Sequence, residues 1–237
     1  MTFTTDLLVT NSLIDLLSDI DRSALIKLSE VVNHLSGDTF GDQSNEIQYV
    51  FFPLKSIFSW LKVIDQNTAL AVALIGSEGM LCITPLMGVT ATPCRAIVCK
   101  SGTSLRIKVS CFMKLLRTRP KMEEILKRYA YVLFSQIIQT TACAHFHTIE
   151  QRLARVLLML KDRSKSINFH ITQESLSHML GVRRVGVTKS AVVLQNKKVI
   201  SYSRGDLIIH DANELEMVAC KCYKADLEIY NQTLIAR

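Results

Sequence analysis

Residues Ile171 to Asp211 read ITQESLSHMLGVRRVGVTKSAVVLQNKKVISYSRGDLIIHD, and this stretch decides the fold. Thr172 suits a helix N-cap, because its hydroxyl can accept from the free N–H groups of the turn that follows. Leu176, Met179 and Leu180 then fall at helical spacing. Gly181 stops the helix where a left-handed residue is wanted. A second helix is predicted from Arg183 to Lys197, with Val187, Ala191 and Leu194 as its buried stripe. Arg183, Arg184 and Lys189 lie off that stripe, near the start of the helix. The period then changes to strands: Val199, Ile200, Tyr202, Leu207, Ile208 and Ile209, divided by Ser203-Arg204-Gly205-Asp206. Two helices about a tight turn, the second basic at its exposed start, then a hairpin, predict a winged helix-turn-helix. Such a unit places a helix in a DNA major groove and a loop on the phosphate backbone.

The charge distribution agrees with that placement. The chain has 237 residues, enough for two modest domains, and 49% are apolar. Residues 1–115 carry nine Lys/Arg against ten Asp/Glu, whereas residues 116–237 carry nineteen against eleven, a net of +8. The positive half is the half with the helix-turn-helix, as attraction to a polyanion requires. No run of apolar residues is long enough to predict a membrane span. The N-terminus lacks the basic start of a signal peptide. Seven cysteines without an export signal predict reduced thiols in a cytoplasmic protein.

Upstream of the helix-turn-helix, residues 6–35 read as two short amphipathic helices. Leu7, Leu8, Leu25, Leu28 and Val31 are among their apolar positions, and Asp21 is a candidate cap for the second. Short strands follow: 47–52 up to Pro53, 57–64, 69–75, 95–99 and 104–109, with a turn at Asp65-Gln66-Asn67. Residues 119–162 read as mainly helical. Leu126, Tyr129, Leu133, Ile137, Thr140, Ala144 and His147 recur there at steps of three or four, a seam longer than one small domain needs. Residues 161–166 (KDRSKS) read as a polar loop before the helix-turn-helix. The segment 213–230 reads as helical, with Leu215, Val218, Cys222 and Leu227 buried.

The order LARVLLMLKD (153–162), ITQESLSHMLGVRRVGVTKS (171–190) and KKVISYSRGDLIIHD (197–211) resembles the catabolite-activator/fumarate-nitrate-regulator (CRP/FNR) family of bacterial transcription regulators. YVFFP (49–53) and ALIGSEGM (73–80) resemble a phrase in the sensor domain of one of its subgroups. The resemblance implies an α+β protein in three parts. Residues 1–118 would be a cyclic-nucleotide-binding-like β jelly roll with N-terminal helices, 119–148 a dimerisation helix, and 149–237 the winged-helix DNA-binding domain. It implies double-stranded DNA, a second copy of the chain and RNA polymerase as partners, with no membrane. The seam Leu126, Tyr129, Leu133, Ile137, Thr140 and Ala144 would join the two copies. A regulatory subunit responding to a cyclic nucleotide, and a constitutive DNA binder with an effectorless barrel, are the alternatives.

Arg184, Val185 and Lys189 occupy the family's base-reading positions. Arg donates two hydrogen bonds to guanine, and Lys approaches the same edge. Val185 stands where relatives often have Glu, so it can touch a thymine methyl but cannot accept from cytosine. Gln173, Arg183 and Arg204 suit phosphate contacts, which position the protein. The family's nucleotide pocket would fall on Gly76, Ser77, Glu78, Gly79 and Arg95. Cys94 there takes the place of a phosphate-gripping Arg, and Ile137 and Ile138 replace adenine-contacting hydroxyls, so cyclic AMP is not the expected effector. No cofactor and no metal are expected. Cys143 and His147 make half a site at best, Cys94 and Cys99 are wrongly spaced, and Cys220 and Cys222 would diverge on a helix. No phosphate loop, nucleophile elbow or metalloprotease motif points to an enzyme.

Overall fold

The computed structural model describes residues 11–41, 46–65 and 69–236. Leu7, Leu8, Gln66 and Asn67 lie outside the described residues. The chain opens with α1 (Ser12–Asp15) and α2 (Asp19–Lys27). Ser18 caps α2 by accepting from the Asp21 N–H; Asp21 is inside the first turn and pairs with Arg119 at 3.3 Å, so it is not the cap. Nor does helix continue to residue 35. Glu30–His34 form β1, because Val31 and its neighbours pair in register with β7, Glu30 opposite Arg106 and Val31 opposite Leu105.

Seven strands make a two-sheet roll. β1, β7 (Gly102–Lys108) and β3 (Tyr49–Pro53) form one sheet in the order β1-β7-β3. β2 (Thr39–Phe40), β6 (Arg95–Lys100), β4 (Ile57–Val63) and β5 (Ala69–Ile75) form the other, in the order β2-β6-β4-β5, and every pairing is antiparallel. The interior is dense with rings: His34, Phe40, Phe51 and Phe58 lie 5.2–6.2 Å apart, centre to centre. β4, IFSWLKV, is apolar nearly throughout because both faces are covered. Phe58 and Trp60 enter the roll, whereas Ile57 and Leu61 join a second core built with the C-terminal helices.

After α3 (Val109–Arg117) comes α4 (Pro120–Phe146). Helix breaks at His147, and Thr148 starts α5 (Ile149–Ser164) with a reciprocal capping box to Gln151. The residues read as a polar loop, 161–166, are largely the last turn of α5, and Arg163 there is buried. The winged unit is β8 (Asn168–His170), α6 (Gln173–Leu180), α7 (Arg184–Asn196), β9 (Ile200–Ser203) and β10 (Asp206–Ile209), with strand order β8-β10-β9. Strand β8, three residues long, was not anticipated. α8 (Ala212–Val218), α9 (Cys222–Tyr230) and a π-helical turn (Asn231–Ile235) complete the chain and return it to the roll, where Leu234 enters the first core. Leu215, Cys222 and partly Val218 are buried as expected, but Leu227 is exposed.

Candidate nucleic-acid interface

Thr172 caps α6 through its hydroxyl, which accepts from the Ser175 N–H at 3.0 Å. Gly181 closes the helix in the left-handed region, at φ +60°. The apolar stripes of α6 and α7, Leu176, Met179, Leu180, Val187, Ala191 and Leu194, are all buried in the second core. Packing them fixes the outward face of α7. Arg183, Arg184, Val185, Thr188 and Lys189 are exposed on it. Arg183 is the N-cap and makes no side-chain cap bond, so backbone N–H groups at this end remain available to an anion.

Two contacts organise this face. Arg184 pairs with Glu174 at 2.8 Å across the turn of the motif, both side chains being well exposed. The Thr188 hydroxyl donates to Gln173 Oε1 at 2.9 Å, tying the starts of α6 and α7 together. Glu174 was missed in the sequence because it belongs to the other helix, ten residues before its partner. Beside α6 stands the wing. Its two-residue turn, Arg204-Gly205, has positive φ at both positions (+51° and +91°), the geometry of a type I′ hairpin. A Cβ at Gly205 would also meet the His170 ring at 2.5 Å, so a larger residue there would have to displace that ring. Thr172, Gln173, Tyr202, Arg204 and Gly205 line a shallow cleft between the α6 start and the wing.

The predicted effector pocket is not assembled. Gly76, Ser77, Glu78 and Gly79 form the turn after β5, and this turn is filled from within the chain. Arg163 pairs with Glu78 at 3.1 Å and donates to Leu74 O at 3.0 Å, while Ser77 Oγ donates to Arg163 O at 3.0 Å. A Cβ at Gly76 would lie 2.6 Å from Arg163 Cβ, and one at Gly79 would collide with the Tyr129 ring. Arg95 is elsewhere: it sits opposite Leu61 on β4, which in turn faces Ala71 on β5. That places it two strands away and level with a residue five before Gly76.

The residues predicted for the dimer seam do not form one exposed stripe. Leu126, Tyr129 and Leu133 are fully buried against the roll of their own chain. Ile137 is partly buried on the same core, and Thr140 accepts a hydrogen bond from Arg155 at 3.2 Å. Ala144 is exposed, at the edge of the outward face. Among the large apolar residues α4 leaves in solvent, Tyr131, Phe134 and Ile138, at 57%, 59% and 55% exposure, share one face, and Phe146 at its end is 83% exposed. The cysteine expectation needs correction as well. Helix is interrupted between α8 and α9, so Cys220 and Cys222 do not diverge; both thiols come beside Cys143 and His147.

The chain thus combines a two-sheet roll, a long connecting helix and a winged helix-turn-helix with a basic outward face. Residues 151–218 match the Crp-like helix-turn-helix domain. FixK2 from Bradyrhizobium japonicum superposes with a TM-score of 0.70 at 11% identity, over 81% of this chain and 98% of that one. The c-di-GMP-responsive global regulator CLP of Xanthomonas campestris gives 0.67 at 10% identity, over 82% and 100%. A putative transcriptional regulator of the CRP/FNR family from Eubacterium rectale gives 0.65 at 14% identity, over 87% and 96%. Comparison with curated proteins by sequence found no match. The chain therefore has the fold of the CRP/FNR transcription regulators and carries their helix-turn-helix domain. Among the described residues no helix is long and apolar enough to cross a membrane.

Proposed function

We propose that this protein regulates transcription by binding a two-fold DNA site as a homodimer, with a roll that no longer takes cyclic AMP. The observation that carries the DNA reading is the joint exposure of Arg184, Val185 and Lys189 on α7, flanked by Gln173 and Arg204. Arg184 and Lys189 reach for guanine edges, and Val185 packs on a thymine methyl. Arg204, Arg183 and the Gln173 amide hold phosphates. The Arg184–Glu174 pair costs little to open, because exposed ion pairs are weak. A closed Gly76–Gly79 turn, with Arg163 and Tyr129 in it, supports the reading of the roll. Two copies joined along α4 would set two recognition helices on successive turns of the duplex. RNA polymerase remains the expected further partner of the dimer on DNA.

The test separates reading from gripping. Arg184→Ala should cost about 1–3 kcal/mol per half-site on the selected operator and relax preference at one base pair. Arg204→Ala should weaken operator and random duplex alike and reduce the salt slope by about one contact per subunit. Titrations of both variants at several salt concentrations check this. An unchanged specific-to-random affinity ratio for Arg184→Ala would refute the placement of α7.

A further inference from the structure

Four ligand-type side chains converge where the long helix meets the DNA-binding unit. Cys143 lies in the last turn of α4, and His147 is its C-cap. Cys220 lies between α8 and α9, and Cys222 is the first residue of α9. Their three sulfurs and one ring nitrogen all lie within 4.8 Å of one another. Cys143 Sγ is 3.4 Å from Cys220 Sγ, and Cys222 Sγ is 3.6 Å from His147 Nδ1. The three cysteines are buried and form a small core of their own, apart from the two main ones.

We propose that Cys143, His147, Cys220 and Cys222 bind a single zinc-class divalent cation, which clasps the α4–α5 hinge to the α8–α9 turn. The donor set is that of a closed structural zinc site. So is the spacing. A tetrahedral ion with Zn–S of about 2.3 Å and Zn–N of about 2.0 Å holds its sulfurs about 3.8 Å apart and sulfur from nitrogen about 3.5 Å. Cys143–Cys220 at 3.4 Å and Cys222–His147 at 3.6 Å are close to those edges, and no pair of the four exceeds 4.8 Å. A multi-iron cluster would sit between its thiolates and spread them further.

The surroundings suit the charge. Three thiolates and one divalent ion leave a net negative site. Arg152 and Arg155 both face Cys143 and Cys220 electrostatically. Such outer partners orient ligands and tune the ion. A cleft of about 420 Å³, lined by Cys220, Lys221, Tyr223 and Glu228 among others, gives solvent a route to Cys220. The position gives the site a consequence. Arg152 also donates to Leu180 O, at the end of α6, so an ion here would brace the helix-turn-helix against α4. Two segments 77 residues apart in sequence would be tied by it.

This site does not rest on the DNA-binding reading, and its test measures metal. Full-length protein purified under reducing conditions should contain close to one zinc per chain by mass spectrometry. After chelator stripping, Co²⁺ should produce thiolate charge-transfer and tetrahedral ligand-field bands, bleached by added Zn²⁺. Cys222→Ser and His147→Ala should each lose those bands at the same cobalt concentration. Cys99→Ser, on β6 and outside the four-residue cluster, should keep them. Cys222→His preserves a ligand and should restore binding with a shifted spectrum, which separates lost coordination from lost folding. Any of three results would overturn the proposal: reduced wild-type protein that neither carries zinc nor develops cobalt bands, bands that persist in the Cys222→Ser/His147→Ala double variant, or isolated protein holding iron with inorganic sulfide.

Discussion

His34 shows how one residue is made to matter by its surroundings. It is 4% exposed, its ring lies edge-on to Phe40 and Phe58, and it hydrogen-bonds Ser104. Burial lowers its pKa below the ordinary 6.5; Asp38 opposes that shift and Arg106 adds to it. The folded ring therefore resists a proton that the unfolded ring accepts. Below about pH 6.5 the unfolded state binds more protons, so stability falls as pH falls, until the folded ring also protonates. Urea midpoints should decline from about pH 6.5 towards 5, above the range where ordinary carboxylates titrate. His34→Gln, which keeps a hydrogen-bonding group for Ser104, should flatten that decline; an equally steep profile in the variant would assign the acid sensitivity elsewhere. Nothing in the local sequence, EVVNH, marks this histidine. Its burial comes from pairing with β7, some seventy residues later. The residues of the helix-turn-helix were legible because caps, stops and stripes there are local. Arg184 was legible as exposed, but its partner Glu174 was not, since only the folded turn brings the two together.

At the scale of elements, periodicity located α4 but not its faces. A helix with apolar residues on two sides has two readings for each stripe. Leu126, Tyr129 and Leu133 repeat as well as any dimer seam, yet they pack on the roll. The outward stripe, Tyr131, Phe134 and Ile138, runs on through Thr141 to His145 at steps of three and four. Three large apolar side chains at more than half exposure, on one face of a 27-residue helix, are what a coiled-coil partner would cover. Phe134→Glu with Ile138→Glu should therefore give a folded monomer by sedimentation, with near-native circular dichroism. Leu133→Glu should instead destabilise the chain itself by several kcal/mol, about the cost of an unpaired charge in a core. A double variant that still sediments as a dimer would place the interface off this stripe. The same ambiguity explains β1: EVVNH is short enough to extend a helix or to form a strand, and only pairing with β7 decides.

At the scale of the molecule, the roll and the DNA-binding unit are locked together, which no local pattern could announce. Ile57, Leu61, Ala71 and Leu74 of the roll share one core with Leu153, Leu157 and Leu180. Arg163 is the polar centre of that junction: it meets Glu78 of the roll, Leu74 O of β5 and Gln136 of α4. In the sequence it sits in KDRSKS, which looks like solvent-facing loop; its burial follows from the glycine at 76, which lets α5 approach the turn. Arg163→Met removes the cation and leaves Glu78 with only the Gly76 N–H as its hydrogen-bond donor among those described. Breaking a fully buried pair costs about 3–5 kcal/mol, and the partial exposure of Glu78 puts this pair below that, whereas removing both charges costs less. Arg163→Met should therefore be clearly less stable than wild type in denaturant unfolding, and Glu78→Gln with Arg163→Met should recover part of the loss. Because Arg163 joins the two units, the single variant should also unfold in two separate transitions if wild type unfolds in one. Singles and double that lose stability additively would mean that Arg163 and Glu78 are not coupled. The junction would then be held by its apolar core alone.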